Sequence, residues 1–209
     1  MRVLIFGAGA VGGVLAAMLS PCHELDVAAR AGRLLRIADE GITIQGAVER
    51  TERPGTRPRG RYDMVFIATK AYDVITASEA MRAFVDGNTI IVSPQNGLRH
   101  LDVLAGRFGD RVVLAPTTLG AAVIGPTTVR LTSTGTTVVG SPSGRAERTA
   151  EVAAVLNEAG LRSEASDNIM GEVWMKAIVN ACINPIAALA GIPNGVLLER
   201  KPLLTIAER

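Results

Sequence analysis

The chain opens MRVLIFGAGAVGG, residues 1–13. Arg2–Phe6 (RVLIF) is a short run rich in branched apolar side chains and reads as a buried strand. Glycines follow at positions 7, 9 and 12, and residues 11–19 read as an apolar helix. A G-x-G-x-x-G string alone is a weak signal; a strand before it and a helix after it are its phosphate-binding context. In that context Gly7 permits the tight turn, Gly9 lets a pyrophosphate approach the backbone, and Gly12 lets helix and strand pack closely. The backbone of Gly7, Gly9, Ala10, Val11 and Gly12 then meets the phosphates at a helix N-terminus, with its free N–H groups and positive dipole end. The competing reading is a strand–turn–helix that needs its glycines only for packing.

The same glycines decide a second question. Residues 1–20 are apolar behind Arg2, like a secretion signal, but three glycines interrupt the apolar run, so no targeting signal is expected. No run of eighteen or more uninterrupted apolar residues occurs elsewhere, so no membrane span is expected. The chain has 209 residues, 48% hydrophobic and 20% charged, which suits one large globular domain with a small appendage. Aromatics make up only 3%, so the core must be built from Val, Ile, Leu and Ala, as in helix-covered parallel sheets. A formal net charge of +2 gives no argument for nucleic acid or a membrane surface. Cys22 and Cys182 lie far apart and suggest no disulfide framework, which points to a reducing cytoplasm. No metal site is expected.

Working outward, residues 25–29 and 64–69 read as strands, as do 89–93 and 112–115. Residues 33–40, 72–84, 101–108 and 146–159 read as helices between and after them, and 42–49 as a strand of a local excursion. This alternation predicts a Rossmann-type doubly wound α/β sheet covered on both faces. Residues 50–61 (RTERPGTRPRGR) read as a basic surface loop, and the Thr- and Val-rich residues 129–139, centred on Gly135, as an antiparallel hairpin. Residues 168–189 read as a long apolar helix broken or kinked near Pro185, with a last helix from about Val196. The expected division is a dinucleotide-binding domain over residues 1–165 and the opening helices of an incomplete all-α domain over 166–209.

The second strand distinguishes the cofactor. NAD sites carry Asp or Glu at its end, bonded to the ribose 2′-hydroxyl. Here it ends Ala28-Ala29-Arg30, with Arg33 following, and Asp26 lies inside the strand. Arginine can hold a 2′-phosphate bidentately, so NADP(H) is expected, unless Arg30 is only a solvated strand-end residue. Ligands in such sheets bind at the carboxyl ends of strands. Thr69-Lys70 and Gln95-Asn96-Gly97 lie at two such ends. Lys70 reads equally as a surface cation and Asn96-Gly97 equally as a turn.

Residues 174–189 (WMKAIVNACINPIAAL) are apolar except for Lys176, Asn180 and Asn184. At about 100° per residue these three fall within an arc of roughly 80° on one helix face. Two readings stand: a stripe that faces water, or one that lines a cleft and hydrogen-bonds a polar substrate.

MRVLIFGAGAVGG, ATKAYDV around Lys70, PQNG around Asn96, VWMKAIVNACINPIAAL around Lys176 and PNG at residues 193–195 together resemble the ketopantoate reductases, or 2-dehydropantoate 2-reductases. The pieces occur in that family's order across essentially the whole chain. The resemblance implies NADPH-dependent reduction of ketopantoate to pantoate in pantothenate synthesis. It implies that Lys176 is the catalytic lysine and that Asn180 and Asn184 bind substrate. It places Asn96 near substrate and nicotinamide ribose, Lys70 on the cofactor side and Arg30 on the 2′-phosphate. Members of the family are longer, and no position here matches their substrate-binding serine or the glutamate beside the lysine. A C-terminally shortened member is therefore expected, with a homodimer through helix 168–189 that covers its apolar surface. Two alternatives remain open: a cofactor-binding pseudoenzyme with an incomplete cleft, and a reductase of a related small 2-oxo acid.

Overall fold

The computed structural model of the chain describes residues 1–207. Strand β1 (Arg2–Phe6) leads through the glycine turn into helix α1 (Ala10–Leu19), β2 (Glu24–Ala28) and α2 (Ala31–Glu40). Strands β3 (Ile42–Gly46) and β4 (Arg50–Glu52) follow, then β5 (Met64–Ile67). Helix α3 (Val74–Ala80) lies between 3₁₀ turns at Ala71–Asp73 and Met81–Phe84, so the region read as one helix is three short pieces. Strand β6 (Ile90–Ser93), helix α4 (Leu101–Phe108) and strand β7 (Val112–Leu114) complete the central alternation.

The five-stranded parallel sheet has the order β2-β1-β5-β6-β7. The chain runs from β1 to one side and then crosses back to β5 on the other, so the topological switch lies between β1 and β5. Side chains alternate across this sheet as the period of two requires. Val3, Ile5, Met64, Phe66, Ile90 and Val92 enter one core, while Leu4, Val65, Ile67 and Ile91 enter the other. The expected doubly wound α/β architecture is present.

One layer was not foreseen. Strands β8 (Gly120–Val123) and β9 (Thr128–Ser133) join β3 and β4 in a second sheet of order β4-β3-β9-β8. The hairpin thus spans β8 and β9, antiparallel, rather than residues 129–139. Beyond Gly135 the chain leaves that sheet. Strand β10 (Thr137–Val139) pairs instead in parallel with β11 (Ser163–Ala165), after helix α5 (Ala146–Glu158). Gly135 (φ +53°) makes this departure possible, because a Cβ there would lie 2.5 Å from the Thr118 carbonyl carbon. Part of the expected basic loop is likewise strand β4, because Arg50–Glu52 finds β3 as a partner.

The second sheet explains α1. Gly12 through Leu19 are all buried, so the helix shows almost no polar side. It lies between the parallel sheet and the second one, and Gly13 permits the close approach: a Cβ there would be 2.7 Å from Val129 Cγ2.

Helix α6 (Ile169–Ala190) follows β11, then α7 (Asn194–Glu199) and α8 (Lys201–Ala207). Helix α6 is unbroken through Pro185. The proline removes one hydrogen bond, and the rest of the ladder carries the helix on to Gly191, which ends it in the left-handed conformation (φ +63°). The terminal segment is two helices rather than one, parted at Arg200, with Pro202 in the first turn of α8 where its missing N–H costs nothing. The start of α6 belongs to the α/β core: Ile169 and Val173 are buried with Val65 and Leu104. Farther along, Trp174, Met175, Ile178 and Val179 are exposed.

Candidate active site

The site grows from the carboxyl end of β1. Main-chain bonds from Gly7 N to the Ala28 oxygen (2.8 Å) and from Ala68 N to the Phe6 oxygen (2.8 Å) carry the β-ladders past the strand end on both sides. Gly7 has φ +108°, and a Cβ there would sit 2.8 Å from the amide nitrogen of Thr69. A Cβ on Gly12 would sit 1.9 Å from the Gly7 oxygen. A Cβ on Gly9, by contrast, would meet nothing within 4 Å. Two of the three motif glycines are thus demanded by the protein itself. The third faces open space, as a backbone that receives a phosphate must. Gly9 caps α1, whose first turn carries no acidic residue, so the dipole end and its free N–H groups lack a competing negative charge.

Arg30 lies where β2 ends. It is exposed, and its carbonyl accepts from the amides of Arg33 (2.9 Å) and Leu34 (3.1 Å), so it caps α2. The first turn of α2 also lacks an acid. Among the described residues the buried Nε of Arg33 finds no partner, and burial without a counter-charge lowers that guanidinium's pKa. Asp26 is withdrawn from any ribose. It sits within β2 and accepts a 2.7 Å hydrogen bond from the Tyr62 hydroxyl. Burial, reinforced by that bond, pushes the tyrosine pKa up to about 12.

Lys70 and Asn96 are both exposed, one in the turn after β5 and one after β6. Gln95 joins their segments: its Nε2 donates to the Thr69 carbonyl (2.7 Å), and its Oε1 accepts from the Ser93 hydroxyl (3.3 Å). A narrow apolar hollow at the same end of the sheet is lined by Val11, Pro94, Thr117 and Leu119. It joins the glycine turn to the segment after β7.

That segment receives the lysine. Lys176 is half-buried on α6, and its Nζ donates to the Thr117 carbonyl. Desolvation lowers its pKa to about 8. The Thr117 hydroxyl accepts from Thr137 Oγ1 (2.9 Å) and from the Leu119 amide (3.1 Å), which holds this peptide in place. The polar stripe of α6 therefore turns toward the sheet at Lys176. Asn180 is half-buried, while Asn184 is exposed and its Oδ1 accepts from Asn194 Nδ2 (2.9 Å). Sequence reasoning missed Thr117 and the role of Asn194. Thr117 acts through its main chain, which leaves no residue-type signal; Asn194 needed the α6–α7 turn to bring it back to Asn184.

Comparison with known proteins shows the family. Residues 3–144 match the family profile described as ketopantoate reductase PanE/ApbA, and residues 168–209 match the profile of its C-terminal part. The chain belongs to the ketopantoate reductase family. It is 33% identical to the 2-dehydropantoate 2-reductase of Pyrococcus abyssi, an alignment covering 99% of this chain and 70% of that protein. With the Archaeoglobus fulgidus 2-dehydropantoate 2-reductase the identity is 34%, over the same shares. The crystal structure of 2-dehydropantoate 2-reductase from Geobacter metallireducens superposes with a TM-score of 0.90 at 25% identity, covering 99% of this chain and 71% of that one. A D-mandelate dehydrogenase with NADH and anilino(oxo)acetate superposes with a TM-score of 0.89 at 21% identity, covering 99% of this chain and 70% of that one. That likeness is one of fold.

Proposed function

We propose that the chain carries out the NADPH-dependent reduction of 2-dehydropantoate (ketopantoate) to pantoate, a step of pantothenate biosynthesis, in the cytoplasm. The observation that carries this reading is Lys176, a desolvated lysine with its pKa brought to about 8, held at the carboxyl end of the sheet that bears the glycine turn. The cofactor fits the residues present: the open space at Gly9 and the acid-free N-terminus of α1 suit its pyrophosphate. Arg30, with Arg33 in the first turn of α2 and its buried Nε without a partner among the described residues, suits a 2′-phosphate. Bound there, NADPH supplies the hydride. Lys70 and Asn96 flank the cofactor, and residues 1–165 form its domain.

Lys176 has two tasks. Near neutral pH its ammonium is a proton donor for the ketone oxygen, and its charge stabilises the alkoxide that develops as the carbonyl is reduced. A pKa near the working pH suits the first task, and partial burial strengthens the second. Asn180 and Asn184 present amides on the same face of α6, in the segment 166–209, for the substrate's hydroxyl and carbonyl groups. Lys176→Met should remove turnover by at least about a thousandfold while NADPH still binds, on the scale of a combined acid and electrostatic role. Turnover within tenfold of the parent would overturn this assignment.

The partners are small molecules rather than nucleic acid or a membrane. By length and mean hydropathy α6 alone among the described helices could cross a bilayer. The bond from Lys176 to Thr117 and the burial of Ile169 and Val173 support a helix docked on the α/β unit. Its exposed Trp174, Met175 and Ile178 support a second copy of the chain as the covering surface.

A further inference from the structure

The backbone ladder between β5 and β6 ends early. Its paired residues are Met64 with Ile90, Val65 with Ile91 and Phe66 with Val92. Beyond Val92, the main chain of β6 keeps only its other neighbour, β7, where the Ser93 oxygen accepts from the Ala115 amide (2.8 Å). Thr69 thus lies past the last paired residues, in the segment that carries Lys70 and against which Gly7 is packed. The group that reaches it from β6 is a side chain. Gln95 Nε2 donates to the Thr69 carbonyl at 2.7 Å, with a longer approach to its hydroxyl at 3.4 Å. Gln95 Oε1 is held in turn by the buried Ser93 hydroxyl, which fixes the amide's orientation.

We propose that Gln95 is a positioning residue, whose amide replaces the missing rungs of the β5–β6 ladder and so sets the spacing between the phosphate turn and Asn96. The connection runs from Gly7, packed on Thr69, through the Thr69 carbonyl to Gln95 and on to its chain neighbour Asn96. A carboxamide is suited to this place, since it donates to a carbonyl and accepts from a hydroxyl at the same time. Methionine has similar volume and makes neither bond. The inference rests on the reading of this end of the sheet as the meeting point of cofactor and substrate. If that reading holds, loosening the brace misplaces the reacting groups more than it weakens either ligand. A misplacement of about 1 Å can cost up to about a hundredfold in rate.

The test compares the parent chain with Gln95→Met and Ser93→Ala. Hydrogen exchange of the cofactor-free protein is followed over residues 68–71 and 95–98, together with kcat, the Kd for NADPH by fluorescence titration, and the melting temperature. For Gln95→Met the expected result is exchange faster by about tenfold in both segments, with α1 and α5 unchanged. It also includes kcat lower by about tenfold or more, with the NADPH Kd moved less than about threefold. Ser93→Ala, which frees only the amide's orientation, should show the same pattern at about two- to threefold, and it stands as the test if Gln95→Met does not fold. Exchange unchanged in the two segments overturns the brace, whatever the activity. A fall in kcat matched by a general rise in exchange and a lower melting temperature also overturns it, because that marks plain destabilisation. A parent chain that does not reduce ketopantoate counts against the proposed function instead, and the exchange data still decide the brace.

Discussion

At the residue scale, the motif glycines separate into two kinds. Gly12→Ala places a methyl 1.9 Å from the Gly7 carbonyl oxygen, a backbone atom that cannot move without opening the turn. It should cost on the order of 2–4 kcal/mol, measured by chemical denaturation. Gly9→Ala meets open space, so its stability should stay within about 0.5 kcal/mol of the parent while NADPH binding weakens by tenfold or more. Equal cofactor affinity in that variant would contradict the phosphate site. Lys176 makes a second prediction. With its pKa brought down to about 8, it is protonated below that pH and loses its proton above it, so ketopantoate reduction should fall as pH rises through about 8. A profile flat to pH 10 would contradict the proton-donor role. The sign for stability follows from the same shift. Burial penalises the charged form of the folded chain below pH 8, and the penalty fades as pH rises toward 10.5. Removing the ammonium should therefore leave the fold as stable or slightly more so, which makes Lys176→Met a clean test of chemistry.

At the element scale, what was legible depended on where each signal comes from. Strands β1, β5 and β6 could be read because residues buried on both faces form short continuous apolar runs. The second sheet could not, because β3 finds β9 some eighty residues later in the chain, and no local pattern encodes that partner. The same distance hides the true hairpin: in sequence Gly135 reads as its turn, whereas it is the point where the chain leaves one sheet for another. Helix α1 shows this in reverse. Its lack of a polar face is unexpected for a surface helix and follows once two sheets enclose it. Helix α6 is also apolar on most sides, yet Trp174 is 53% exposed and Met175 is 62% exposed. If a second copy covers that face, light scattering should give a dimer at micromolar concentrations, and Met175→Glu together with Ile178→Glu should give monomers of unchanged helicity. A monomeric parent chain would contradict the dimer.

At the scale of the whole molecule, the architecture gathers residues from separate parts of the chain at one end of one sheet. The turn after β1, the segments after β5, β6 and β7, and the middle of α6 meet there. Arg30 and the glycine turn were legible because a strand end and a helix start surround them in sequence. The Lys176, Asn180 and Asn184 stripe was legible as a face but not as a place; the Thr117 carbonyl supplied the place. The chain covers 70% of the Pyrococcus abyssi relative's length. In the proposed reaction this site passes hydride from NADPH to ketopantoate. The most direct measurement is the absorbance of NADPH at about 340 nm on mixing the purified chain with ketopantoate, with pantoate quantified at the end. One pantoate should form per NADPH consumed, with NADH used at least about tenfold less efficiently for want of the 2′-phosphate proposed to sit on Arg30. NADPH bound but not consumed, with no pantoate formed, would contradict it.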